Sequence, residues 1–173
     1  MPARSKARKR AIDIVFESDL RDADLMATLS AWQQRSDPPV PEHAARLVTI
    51  VADHRRTIDD AIAARLVGWD FPRVAPVDRA ILRVAGAELL WVDDVPDAVV
   101  IDEAVELAKS LSGDESPAFV NGVLARVASD KAALLAAAES ADGDDAAGVR
   151  IEHAPGDQPL GELGGGLVVD HRE

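Results

Sequence analysis

The chain has 173 residues, of which 47% are hydrophobic but only 3% aromatic, with no Tyr and no Cys. That is enough apolar material for one domain with an appendage, its core built from Ala, Val, Leu and Ile, and it excludes disulfides, thiolate metal sites and cysteine nucleophiles. The formal net charge of −12, from 19 basic and 31 acidic residues, argues as a sum against a nucleic-acid binder, because phosphate contacts are made with positive charge.

The charge is unevenly placed. Residues 1–10 hold five bases (Arg4, Lys6, Arg8, Lys9, Arg10) and no acid, whereas residues 139–173 hold nine acids against two bases. A basic head, an acidic body and an acidic tail are more informative than their total. No apolar run of 18 residues is present, and Asp13, Glu17 and Asp19 interrupt what would be a signal-peptide core, so a cytoplasmic location is expected.

In chain order the body reads as helix after helix. Ile12, Val15, Phe16 and Leu20 place one apolar face on a helix over residues 7–20. Asp24 to Gln34 reads as a second helix, followed by a loop at the clustered prolines Pro38, Pro39 and Pro41. Glu42 to Val67 reads as helical, with a break near Thr57, where Thr57-x-x-Asp60 resembles a helix start, and a stop at Gly68. Pro76 opens a helix to about Val92 with Val77, Ile81, Leu82, Ala85 and Leu89 on its stripe. Asp97 is expected to cap the next helix, which ends at Gly113. Ser116-Pro117 reads as a capping hydroxyl followed by proline at the first helical position, opening a last helix to about Ala138. From Ser140 the period is lost and glycine and acid accumulate. The expectation is an all-α domain over 1–139 and a disordered acidic tail over 140–173. The opposite charges of head and tail allow the tail to fold back on the head; the alternative is an inert linker.

Catalytic signals are missing. There is no phosphate-binding glycine motif, and Gly164 to Gly166 lacks a following helix. His43 and His54, eleven residues apart, would sit roughly 16 Å apart on a helix and cannot share a metal ion unaided. No cofactor or metal is expected, and no enzyme. The head is different. On a helix Arg4 and Arg8 share a face, Lys6, Lys9 and Arg10 spread around the other sides, and Ile12, Val15 and Phe16 anchor the helix to the body. Arginine forks onto phosphate oxygens and stacks on bases, so a mounted cationic end suits RNA; the alternative is a solubilising arm.

Two runs carry a resemblance. One is Asp78-Arg79-x-Ile81-Leu82-Arg83 with Glu88-Leu89. The other is Val95-Pro96, then Ile101 to Lys109 (Ile-Asp-Glu-Ala-Val-Glu-Leu-Ala-Lys), ending in Phe119-Val120-Asn121-Gly122-Val123-Leu124. With the head Ala7-Arg8-Lys9-Arg10-Ala11 leading to Val15-Phe16, they make residues 4–138 resemble the NusB family of bacterial transcription antitermination factors. The resemblance implies two small helical bundles packed as one unit and no enzymatic activity. It implies binding of boxA RNA in ribosomal RNA leaders together with the ribosomal protein NusE, in a complex that loads onto RNA polymerase. It matches Arg4, Lys6, Arg8 and Lys9 to the family's arginine-rich RNA contact, Glu115 and Phe119 to a loop and helix start near RNA, and Asp78 to the NusE contact, where an acid suits a basic partner.

Each has a structural alternative. Phe119 reads on pattern as core, Asp78 as an acid favouring a helix N-terminus, Glu115 as a loop acid, Asn121 and Gly122 as a buried amide and a close helix contact, and Glu88 as a half-buried acid. The chain departs from the family in having Asp102 for the usual Asn, Phe16 and Ala87 for Tyr, and Pro117 and Ala118 for polar or basic residues. A homodimer, a protein-binding adaptor without specific RNA binding, and the RNA-positioning domain of a ribosomal RNA methyltransferase stand as alternatives.

Overall fold

The computed structural model describes residues 2–147, with side chains described to residue 140. Eight α-helices follow in order: α1 Ala3–Leu20, α2 Leu25–Arg35, α3 Glu42–Asp53, α4 Arg55–Ala63, α5 Pro76–Trp91, α6 Asp97–Leu111, α7 Ser116–Ser129 and α8 Lys131–Ala147, with a single 3-10 turn at Phe71–Arg73. The fold is all-α. Among the described residues no helix is long and apolar enough to cross a membrane.

Local chemistry accounts for most boundaries. Asp24 caps α2 by accepting from the Ala27 amide at 2.7 Å. Pro76 opens α5, where its missing N–H is not needed. Gly68 has φ +75, a left-handed turn that an L side chain resists, and it reverses the chain between α4 and the 3-10 turn.

Other boundaries differ from the sequence expectation. The break expected at Thr57 falls at His54, which leaves helical geometry with its ring stacked 4.1 Å from that of Trp91. Ser116 is the first residue of α7 and not its cap, because its hydroxyl is turned to Asp78. Pro96 takes the capping position expected of Asp97. The last helix is two: α7 ends at Ser129, and α8 restarts at Lys131 and runs to Ala147, past the residue where the tail was expected to begin. The rest of the tail lies outside the described residues.

α5 is the axis of the fold. Ala80 to Leu90 are buried without interruption, so this helix is enclosed on all sides and not merely on the expected stripe. α1, α2 and α3 pack together on one flank of it, α6 and α7 on the other, with α4 bridging α3 and α7. The two groups share α5 and one continuous core that includes Ile14, Leu47, Ile58, Ile81, Leu89 and Leu124. Burying each such side chain contributes roughly 1.5–3 kcal/mol. Asn121 is exposed, and a Cβ on Gly122 would meet nothing, so neither has the packing role expected of it.

Candidate nucleic-acid interface

α1 runs antiparallel to α5, and ion pairs mark the register. Arg4 pairs with Asp94 just beyond the C-terminal end of α5, Arg8 with Glu88 on its last turns, and Asp19 with Arg79 and Arg83 near its N-terminal end. The basic head is therefore held against the C-terminal end of α5.

Arg8 is only 5% exposed. Its Nε donates to Glu88 Oε2 at 2.7 Å and its Nη2 to Oε1 at 2.8 Å, a two-pronged pair, and its Nη1 reaches Glu103 at 3.4 Å. Glu88 is fully buried rather than half-buried, and Oε1 also faces His43 Nε2 at 3.2 Å. Ser5 completes the set by donating to Glu103. Burial opposes the charge on Arg8, but the hydrogen bonds and charges of Glu88 and Glu103 outweigh it and hold its pKa above the usual arginine value. The placement corrects the picture of five accessible cations: Arg8 is an internal strut whose donors are used by the protein.

The other head residues separate by partner. Arg4 donates to Asp94 at 2.7 Å, both side chains about half exposed. That hydrogen bond leads the causes that hold the Asp94 carboxyl below its usual range. Lys9 pairs with Asp13 one turn on, at 3.0 Å. Lys6 and Arg10 have no ion-pair partner among the described residues. They stand one turn apart on the same side of α1.

Asp78, Glu115 and Phe119 meet elsewhere, at the N-terminal end of α5. They line a cleft of about 330 Å³ with Trp69, Arg73 and Ser116. Asp78 and the head contacts at Glu88 and Asp94 are ten or more residues apart along α5 and its exit, so roughly 15 Å or more separates the two sites along that axis. Asp78 is 6% exposed. Its Oδ2 accepts from Ser116 Oγ at 2.8 Å, while its Oδ1 is buried without a partner. Arg83 Nη1 is the other buried atom lacking a hydrogen bond among the described residues, and it still lies 3.0 Å from Asp19. Phe119 packs partly against the core, as its spacing predicts, and partly lines the cleft. Trp69, 63% exposed at the mouth, is a cleft residue that sequence reasoning did not single out; a lone tryptophan after Gly68, in a connector, was its signal.

Among the described residues no three His, Asp or Glu side chains gather as metal ligands. The arrangement offers, on a rigid helix, cations unpaired among the described residues and, separately, an acidic and aromatic cleft.

The sequence model of the NusB family matches residues 5–129. The transcription antitermination protein NusB of Acidothermus cellulolyticus is 57% identical over 136 residues, 79% of this chain and 94% of that protein. NusB of T. maritima superposes with a TM-score of 0.67 at 34% identity, covering 75% of this chain and 92% of that one. A crystal structure of antitermination factors NusB and NusE in complex with dsRNA matches with a TM-score of 0.61 at 26% identity, over 73% of this chain and 96% of that one. By sequence and by fold, the chain belongs to the NusB family.

Proposed function

We propose that the protein is an antitermination factor that binds boxA RNA of ribosomal RNA transcripts together with NusE, as part of an RNA polymerase antitermination complex. The observation that carries the reading is the α1 face with Lys6 and Arg10. Among the described residues these two cations have no ion-pair partner, on a helix whose opposite side is locked into the core by Arg8, Ile12 and Val15. A cation fixed in place loses little freedom when it meets a phosphate, and the acid-rich remainder of the chain discourages contact elsewhere. Lys9 lies beside this face and Arg4 at the start of the helix on the side of Arg8, and each would exchange a surface carboxylate for a phosphate at small cost. The family likeness supports the choice of RNA, since a structurally similar NusB has been crystallised with NusE and dsRNA. In this reading the cleft holding Asp78 takes the protein partner, a basic chain whose donors would satisfy the free Asp78 oxygen. Glu115 and Phe119, at the start of α7, are where RNA would pass that partner.

The test is a filter-binding titration with boxA RNA and a scrambled RNA, with and without NusE, at two salt concentrations. Preferential binding of boxA that NusE strengthens is expected. Lys6→Glu combined with Arg10→Glu should weaken it at least tenfold at low salt and flatten its salt dependence, with the thermal midpoint unchanged. Equal binding of both RNAs, or none, would favour a protein-binding adaptor, and unchanged affinity in the double variant would remove the head from the interface.

A further inference from the structure

We infer that Arg10, Trp32 and Arg35 form an additional contact for the phosphodiester backbone of single-stranded RNA, on the flank where α1 packs against α2. The inference rests on the reading that the Lys6 and Arg10 face of α1 meets RNA, and it carries the RNA path onto α2.

The guanidinium of Arg10 sits 5.2 Å from the centroid of the Trp32 ring and that of Arg35 5.0 Å from the same centroid. The ring itself is fixed, because its Nε1 donates to Glu17 Oε2 at 2.9 Å. Arg35 also donates to both oxygens of Glu17, at 2.9 and 3.0 Å, and Arg21 pairs with the same carboxylate at 3.0 Å. The Arg35 hydrogen bond leads the causes that hold the Glu17 carboxyl below its usual range, so it stays ionised. Even so, two arginines share this one carboxylate, and Arg10 and Lys6, one turn apart, have no ion pair among the described residues. The flank therefore carries an excess of positive charge in a chain whose sum is −12.

The geometry suits a phosphate better than a general surface arm would. Cation–π contact with the one tryptophan ring restrains both guanidiniums, so their forks are set before a ligand arrives. Arg10 brings donors that no carboxylate among the described residues takes. Arg35 is half exposed, and its Glu17 pair is a surface pair that a phosphate can replace. Lys6 and Arg10 on α1 and Arg21 just past its end span about 22 Å, the reach of several nucleotides rather than of one anion.

The experiment compares boxA RNA with the same RNA extended by short uridine runs at each end, using the full chain and its Arg35→Gln and Arg35→Lys variants, over a salt series. The wild type should bind the extended RNA several-fold more tightly. Arg35→Gln should remove most of that gain and lower the slope of log affinity against log salt by about 0.7, the loss of one single-strand phosphate contact, with an unchanged circular-dichroism melt. Arg35→Lys should restore the slope but only part of the affinity. If Arg35→Gln keeps the gain and the slope while boxA is still preferred over scrambled RNA, the arginine–tryptophan contact is overturned and the proposed function stands. If boxA loses its preference but the Arg35 effect on slope persists, the contact stands and the boxA reading falls. Polyglutamate bound in an Arg35-dependent way, with no gain from RNA extension, would overturn the assignment to RNA.

Discussion

The head and the cleft lie toward opposite ends of one helix, and they treat buried charge in opposite ways. At the head, Glu88 is enclosed and each of its oxygens has a partner, with Arg8 bonding both and His43 reaching one. At the cleft, Asp78 is almost as deeply enclosed, yet one oxygen is bonded by Ser116 and the other by nothing among the described residues. A buried ion pair with all its hydrogen bonds made is a closed structural unit. A buried carboxylate with one oxygen unmet has desolvation still to offset, and a donor from outside offsets it. The contrast separates two kinds of residue that family resemblance groups together. Arg8 belongs to the frame of the molecule, whereas in the proposed reading Lys6, Arg10 and Asp78 are what that frame presents to partners.

The largest expected effect lies in the head. Glu88→Ala removes the two-pronged partner of the buried Arg8 guanidinium and leaves it only the longer 3.4 Å contact to Glu103, and should cost about 3–5 kcal/mol in urea unfolding. Replacing both partners, Arg8→Met with Glu88→Met, removes the stranded charge and should recover most of that loss. If the double variant is no more stable than the single one, Arg8 is held by something other than Glu88 and the head is not the closed unit described. The same logic explains why charge reversal on α1 is informative only at Lys6 and Arg10. Glutamate at position 8 would face Glu88 and unfold the domain before it reported on RNA.

The cleft should give smaller losses. Ser116→Ala removes the donor to Asp78 and leaves both oxygens unmet, for about 1.5–3 kcal/mol. Asp78→Ala removes the same bond together with the orphaned oxygen and should cost less. A costlier Asp78→Ala, measured by the same unfolding curves, would mean that Asp78 is a satisfied structural acid, and the contrast with Glu88 would vanish.

These distinctions were legible in the sequence to unequal degrees. Pro76, Asp24 and Gly68 act through bonds within a few residues of themselves, so their roles are written locally. The false start at Thr57 is of the other kind, since the helix breaks at His54, whose ring is stacked on Trp91, a residue distant in the chain. Ser116 has the sequence of a cap but spends its hydroxyl on Asp78, 38 positions earlier. Arg8 is the instructive case. It lies on the stripe of Ile12 and Val15, which turns inward, and that spacing was readable; the partners that allow an arginine there are 80 and 95 residues away and were not. Likewise the cleft residues carried separate expectations for RNA and for a protein partner, and only folding brings them to one place.

The smallest effect concerns the outermost pair of the head. Arg4 and Asp94 are bonded as closely as Arg8 and Glu88, at 2.7 Å, but both are half exposed. Water screens the attraction, and holding two long side chains together offsets much of what remains. Asp94→Ala should therefore leave the urea midpoint unmoved while freeing Arg4 from its nearest carboxylate. Because Arg46 also approaches Asp94, at 3.7 Å, the substitution releases two cations at the edge of the head. RNA affinity at low salt should rise slightly, and the rise should disappear at high salt as the charges are screened. A clear loss of stability in Asp94→Ala would show that equal bond length does mean equal strength here, and that exposure does not separate the frame of this protein from the side chains it presents.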